Sequence, residues 1–426
     1  MSATRVKFVG AALCAAAVVI GVSATSARAD VVSDWNEVAE KAVKTAVPSP
    51  VAQGRPLAIV SASVFDAVNG IERTYRPYFV REWAPGGARA EAAAAQAAYT
   101  ALVGLFPAQK PAFDAQMERS MAQIPGGMGN SQSILRGRQW GAQVAARILE
   151  WRGGDGFDAT VPPYFGGGAP GVWRSVPNGD LPAVVPQMAV MVPFAMRRAD
   201  QFRPAPPPSL SGPAYAAGVN EVKAVGRADS ATRTVEQTHI AQLWHACDMA
   251  DLNRAAREVV PAVYSLSERA RLFALMNVAI ADALIMGVDG KYAYNLWRPH
   301  HGVRLAGTDG NPLTEPDAAW SALIVAPRHQ EYPSTHSCGT GAAMRVLSAL
   351  LGDSTPITIA SPGYPAFRKT YASFGEAAVE LGEARIWAGV HYRFSTDAGL
   401  DAGTRVADFL LESFLTPRGS HGRHGN

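Results

Sequence analysis

An all-α fold is predicted by three observations. Successive segments rich in Ala, Leu, Met, Gln and Arg carry apolar residues three or four positions apart. Alternating β-branched runs bounded by turn residues are nearly absent. One long stretch, 153–213, breaks the pattern with Gly-Gly and Pro-rich sequence such as Gly166-Gly-Gly168 and Pro206-Pro-Pro208, which cannot sustain helices.

Residues 1–29 stand apart from the rest. Arg5 and Lys7 precede an apolar run from Phe8 to Val22, and Ala27-Arg28-Ala29 has the small-x-small form of a signal-peptidase site. About 15 apolar residues fall short of the roughly 20 that span a bilayer. The segment therefore reads as a cleaved leader, leaving Asp30 as the new terminus of an exported protein, periplasmic or extracellular. Cys14 lies inside the apolar run, a poor place for lipid attachment.

Helices follow over 88–106, 129–152, 215–226, 233–245 and 266–288, then over 337–351, 364–382 and 396–414. Tyr164, Phe165, Trp173 and Phe194 make the 153–213 segment an ordered covering loop rather than a flexible linker. The division expected is an N-terminal helical region with that loop (30–213), a C-terminal helical region (214–416) and a disordered tail (417–426), where His421 and His424 are solvated. No later segment has the uninterrupted apolar length of a membrane span, so no stable membrane insertion is expected.

With 426 residues, 48% hydrophobic and 18% charged, the chain can bury a large core. Its formal charge of +3 is contributed by Arg5, Lys7 and Arg28 of the leader, so the mature chain is near neutral. Bulk charge then gives no argument for nucleic-acid binding, and any cationic function must be local. After processing, Cys247 and Cys338 remain, either as one disulfide or as two buried thiols; the reading favours thiols. No Cys/His cluster has zinc spacing.

Local cationic function has a candidate in three short segments: Lys291-x6-Arg298-Pro299, Pro333-Ser334-Thr335-His336 and Arg385-x5-His391. Arg-x5-His alone is expected about once by chance in such a chain; each of the other two is expected about one time in twenty. Together they assemble the groups a tetrahedral or trigonal-bipyramidal oxyanion needs. Lys291 offers a compact ammonium, Arg298 and Arg385 forked guanidiniums, each contributing on the order of 4 kcal/mol near 4 Å before desolvation. Ser334 adds a hydroxyl and Thr335 a backbone N–H just before a helix start, whose positive end favours anions.

In this order the three motifs resemble those of the vanadium-dependent haloperoxidases and type 2 phosphatidic acid phosphatases. The resemblance is strongest from about 239 to 415 and implies paired four-helix bundles. It implies that His391 binds vanadium axially, that His336 acts as acid and base opposite it, and that Lys291, Arg298, Ser334, Thr335 and Arg385 hold vanadate oxygens. Lys291 would also polarise hydrogen peroxide for attack by halide, with a small organic molecule as final acceptor. In the phosphatases the same cage needs no vanadate: His391 would attack phosphorus and His336 protonate the leaving oxygen. A phosphate- or vanadate-binding protein is the third reading.

The long exported chain and the sequences Glu331–Ser337 and Trp387–Phe394 favour the haloperoxidases. Thr335 stands where these families usually have Gly, Ala384 where Ser is common, and Val288 where Trp is frequent. His329 occupies a position that is His in several bromoperoxidases, which favours bromide. Asp282, Asp248 and Asp251 are candidates to orient the arginines, and Asp397 to accept the free ring N–H of His391. Each also reads as an ordinary ion-pair partner or cap. His300 and His301 receive no role.

Overall fold

The computed structural model describes residues 30–124, 131–176 and 180–419. The leader, residues 129–130 of one expected helix, and residues 420–426, with both tail histidines, lie outside this set. Thirteen α-helices and one two-stranded antiparallel sheet are found among the described residues.

The first half contains α1 (Val31–Ala46), α2 (Gly54–Glu72), α3 (Ala90–Leu105), α4 (Lys110–Gln123) and α5 (Ser131–Gly153). The second contains α6 (Pro213–Val225), α7 (Val235–Ala246), α8 (Met249–Val259), α9 (Leu266–Tyr294), α10 (Pro299–Arg304), α11 (Thr335–Leu351), α12 (Phe374–Trp387) and α13 (Arg393–Ser413). Strands β1 (Ile357–Ile359) and β2 (Lys369–Tyr371) pair between α11 and α12. Helices α2, α3 and α5 pack on one another, with α1 and α4 against α3; α9, α11 and α13 form the second bundle, with α12 against α11 and α13. The bundles join along α2 and α9 within a single apolar core. Close approach there depends on Gly54, where a Cβ would lie 2.9 Å from Leu284 Cδ1 and 3.2 Å from Ala281 Cα.

Helix α9 begins at a capping box between Ser265 and Glu268 and ends at Asn295, whose φ of 50° closes it in the left-handed region. This carries it six residues beyond the expected end, so Lys291 is helical. Contrary to the expectation of no such segment, α9 is long and apolar enough to cross a membrane. Its most apolar window is 94% buried within the protein, however, so its side chains are core.

Two buried aspartates fasten the connections that follow or face these central helices. Asp66 of α2 accepts the N–H groups of Tyr78, Phe79 and Val80; Asp282 of α9 accepts those of Phe194, Ala195 and Met196, all at 2.6–2.8 Å. Burial raises both carboxyls to about 6 against these amides. The Gly/Pro-rich segment is anchored further by Asp155, which pairs with Arg55 and Arg152 at 2.8 and 2.7 Å, and by stacking of Tyr164 on Trp173.

Several expectations are corrected. The helix expected over 364–382 begins ten residues later, behind the Ser373 cap, and continues to Trp387; β2 occupies part of the expected span. Helices α1, α2, α4, α8 and α10 were not anticipated. The start of the tail is tied down, because Pro417 bridges Tyr75 and Arg418 N–H donates to Thr74. Cys247 and Cys338, by contrast, are as expected: both are free thiols and buried.

Candidate active site

Two of the three motif segments, through Thr335, His336, Arg385 and His391, line the floor of a cavity of about 540 Å³, and Arg298 of the third donates to His391. Thr335, His336, Arg385, His391 and His329 line the floor; Pro48, Ser49, Pro50 and Val51 from the α1–α2 connection, Val184, Val325, Pro327 and Arg328 form the walls, with His245 at the end of α7. The first bundle therefore contributes part of the wall around a floor built by the second.

His391 is held in one tautomer. Its Nδ1 lies 2.7 Å from Glu331 Oε1, which also accepts Tyr392 N–H, and its Nε2 lies 3.0 Å from Arg298 NH1. An arginine N–H can only donate, so Nε2 carries the lone pair and Nδ1 the proton given to Glu331. Burial, Arg298 and Lys291 together hold the imidazole well below its ordinary range, so it is neutral. Burial raises the Glu331 carboxyl to about 7, and the neighbouring Arg298 and Lys291 oppose that rise. Asp397 does not hold this ring, and Asp282, Asp248 and Asp251 do not hold Arg298 or Arg385: Asp282 accepts the 194–196 amides, and Asp248 and Asp251 cap α8. Glu331 is the residue that sequence reasoning missed. It lies inside the Glu331–Ser337 segment, but a carboxylate in a linear sequence does not reveal a partner 60 positions away.

Lys291 does not face the cavity. Its ammonium donates to the carbonyls of Gln330, Glu331 and Pro333 at 2.8, 2.9 and 2.6 Å, using all three hydrogens. Burial, with Arg298 adding, pushes its pKa far down. These three bonds fix the stretch of backbone that carries Glu331 and Ser334, and they are the contacts that the oxygen-holding and peroxide-polarising roles expected of Lys291 would have to exchange. Arg298 is also largely engaged, through Nε to His329 O, NH1 to Val390 O and His391 Nε2, and NH2 to His329 Nδ1. His329 is therefore an acceptor that seats Arg298.

Arg385 differs from both. It is 1% exposed, yet its Nε and NH1 have no partner among the described residues. Burial and Arg298 lower its pKa to about 9. A buried, unpaired guanidinium is costly unless an anion completes it.

Ser334 caps α11, accepting Ser337 N–H and the Ser337 hydroxyl, which leaves its own O–H to donate. The Thr335 amide opens the first turn of that helix, where N–H groups lack intrahelical acceptors. His336 places Nε2 2.9 Å from Cys247 O, so Nε2–H donates there and the Nδ1 lone pair is free. Burial and Arg385 lower its pKa to about 3. The Cys247 carbonyl sits at a braced corner: Ser361 donates to Ala246 O and Asp251, and Gln53 donates to Asp248. His300 and His301 lie on α10 and are not among the cavity-lining residues.

Residues 271–417 match the family model described as the VCPO second helical-bundle domain. Over 91% of its length the chain is similar in fold to a solved vanadium-dependent haloperoxidase, and the family-model match falls on the helical region that bears the site. The crystal structure of a bacterial vanadium-dependent iodoperoxidase is similar with a TM-score of 0.77 at 22% identity, covering 91% of this chain and 97% of that one. The apo-type bacterial vanadium-dependent chloroperoxidase gives 0.68 at 17%, covering 85% and 92%, and the holo-type 0.67 at 17%, covering 88% and 95%. No curated protein matches the chain.

Proposed function

We propose that this protein is an exported vanadate-dependent haloperoxidase that oxidises halide, bromide in preference, with hydrogen peroxide. The observation that carries the reading is Arg385: a buried guanidinium with two unpartnered nitrogens, in the same cavity floor as the free lone pair of His336 and the ring of His391. That donor set fits a vanadate-sized oxyanion, and the similarity to haloperoxidase structures over nearly their whole length supports vanadate over a phosphate ester.

Arg385, the Ser334 hydroxyl and the Thr335 amide would hold oxygens, and His391 Nε2 would be the ligand to vanadium once Arg298 NH1 turns from it to the anion. Vanadate, when bound, activates peroxide for oxygen transfer to halide. The chain supplies the rest. Glu331 keeps the His391 proton on Nδ1, so Nε2 stays a donor of electrons. Lys291 holds the carbonyls of 330, 331 and 333 in place, which sets both Glu331 and Ser334. His336, neutral at pH 7 with Nε2–H on Cys247 O, would accept a proton from peroxide at its Nδ1 lone pair.

The test is reconstitution with vanadate, followed by oxidation of bromide, iodide and chloride with peroxide, beside phosphomonoester hydrolysis without vanadium. Vanadate-dependent halide oxidation, fastest with bromide, is expected. Hydrolysis without halide oxidation would establish the phosphatase chemistry instead, and anion binding with neither activity a binding protein.

A further inference from the structure

The outer half of the cavity has a composition of its own. No Asp or Glu lines it, and its walls are Val51, Val184, Val325, three prolines and Ser49. Val325 is 71% exposed, an unusual position for an aliphatic side chain unless something apolar rests on it. Beside it stands Arg328, which lines the cavity and makes no side-chain hydrogen bond or ion pair with any described residue. Elsewhere on this chain surface arginines are commonly paired, as Arg227 is with Asp229 and Asp317, and Arg393 with Glu221 and Glu383. The wall is preformed: Val184 N–H donates to Arg328 O at 2.8 Å, and Ile324 N–H to Ala388 O at 3.1 Å, next to the end of the helix bearing Arg385.

We infer that this outer cavity binds an apolar, electron-rich organic carboxylate, with its carboxylate on Arg328 and its body against Val51, Val184 and Val325. Pockets of roughly 300–1,000 Å³ take organic ligands of this kind, so about 540 Å³ accommodates such a molecule above the small oxyanion on the floor. An apolar wall with one forked cation recognises an organic acid, because the guanidinium grips both carboxylate oxygens while the valines bury the body.

The role of the bound acid as halogen acceptor rests on the haloperoxidase reading. Its electron-rich carbon gives an electron pair to the halogen of hypohalous acid, and the carbon–halogen bond forms as the halogen–oxygen bond breaks. Hydroxide leaves and takes the proton released from that carbon, giving water. The carbon is oxidised by two electrons and the halogen reduced.

Binding can be tested apart from activity. Calorimetric titration of the full mature protein, saturated with inorganic phosphate, would compare 3-(4-hydroxyphenyl)propanoate with its primary amide. The acid should bind saturably and at least tenfold tighter than the amide, and Arg328→Gln should reduce that preference below twofold. The same variant should retain vanadate-dependent bromide oxidation without organic acceptor. Absence of saturable binding, equal binding of acid and amide, an Arg328→Gln preference like the wild type, or displacement of phosphate by the acid would each overturn the inference. Selective acid binding by a protein that oxidises no halide would overturn the haloperoxidase reading and leave this site standing.

Discussion

Glu331 Oε1 and His391 Nδ1 lie 2.7 Å apart although 60 positions separate the residues in sequence. The same oxygen takes the Tyr392 N–H at 3.1 Å, so the carboxylate is fixed from two sides before it fixes the ring. Losing such a support typically costs about 10–100-fold in ligand affinity at a histidine site. Glu331→Ala is therefore expected to weaken vanadate binding by about that factor. Glu331→Gln, which keeps an acceptor oxygen for Nδ1–H, should lose less. Vanadate titration of both variants checks this; equal affinity in wild type and Glu331→Ala would mean that Arg298 alone sets the ring.

Arg385 predicts a conflict between stability and binding. Its Nε and NH1 are buried without partners, and an unsatisfied buried donor costs about 1–3 kcal/mol, more when charged. Arg385→Met fills a similar volume without that cost. In phosphate-free buffer the variant should be more stable by about 1–3 kcal/mol, read as a higher urea midpoint. Added phosphate should stabilise the wild type and leave the variant unmoved. A variant that is less stable in phosphate-free buffer would show that Arg385 already has a partner.

His336 gives a pH dependence with a definite sign. Its folded-state pKa is lowered to about 3 by burial and Arg385, from an ordinary value near 6.5. Between these values the unfolded chain binds more protons than the folded one. The contribution of neutral His336 is therefore fully present above about pH 6.5 and lost as pH falls towards 3. The raised carboxyls of Glu331, Asp66 and Asp282 titrate with the opposite sign, so total stability does not isolate the effect. The comparison with His336→Gln does. Relative to wild type, the variant should gain up to about 1.4 kcal/mol per pH unit below 6.5 in urea melts. A constant difference from pH 7 to 4.5 would refute it.

What was legible in the sequence followed from the range over which each feature is encoded. The cage residues sit in short linear motifs, and the structure brings His336, Arg385, His391 and Thr335 to one cavity floor. Glu331 and the engagement of Lys291 by three carbonyls depend on contacts across 39 to 60 positions, which no local pattern specifies. Helix α2 escaped notice because every residue from Gly54 to Gly70 is buried; a helix buried all round has no polar face to reveal its period. The late start of α12 was encoded locally, in Ser373-x-x-Glu376, where the serine accepts Glu376 N–H at 3.0 Å and Glu376 reaches back to Ala372 N–H. The expected helix overran that cap.

Thr335 and Gly287 supply the last prediction. A threonine side chain at the first residue of α11 needs room beside the oxyanion floor, and the room comes from α9. A Cβ built on Gly287 would lie 2.9 Å from Thr335 Cγ2 and 3.3 Å from Cys338 Sγ. Gly287→Ala should therefore push Thr335 aside and cost about 1–3 kcal/mol, the usual price of overpacking, although alanine alone favours a helix over glycine by about 1 kcal/mol. In a Thr335→Gly background the obstructing methyl is gone, so the same substitution should be neutral or stabilising. The two changes must then couple by more than the roughly 0.3–0.5 kcal/mol seen for independent sites. Urea denaturation of the four proteins of this cycle measures the coupling. If the two changes are additive, α9 does not set the position of Thr335, and the accommodation of this residue must come from α11 itself.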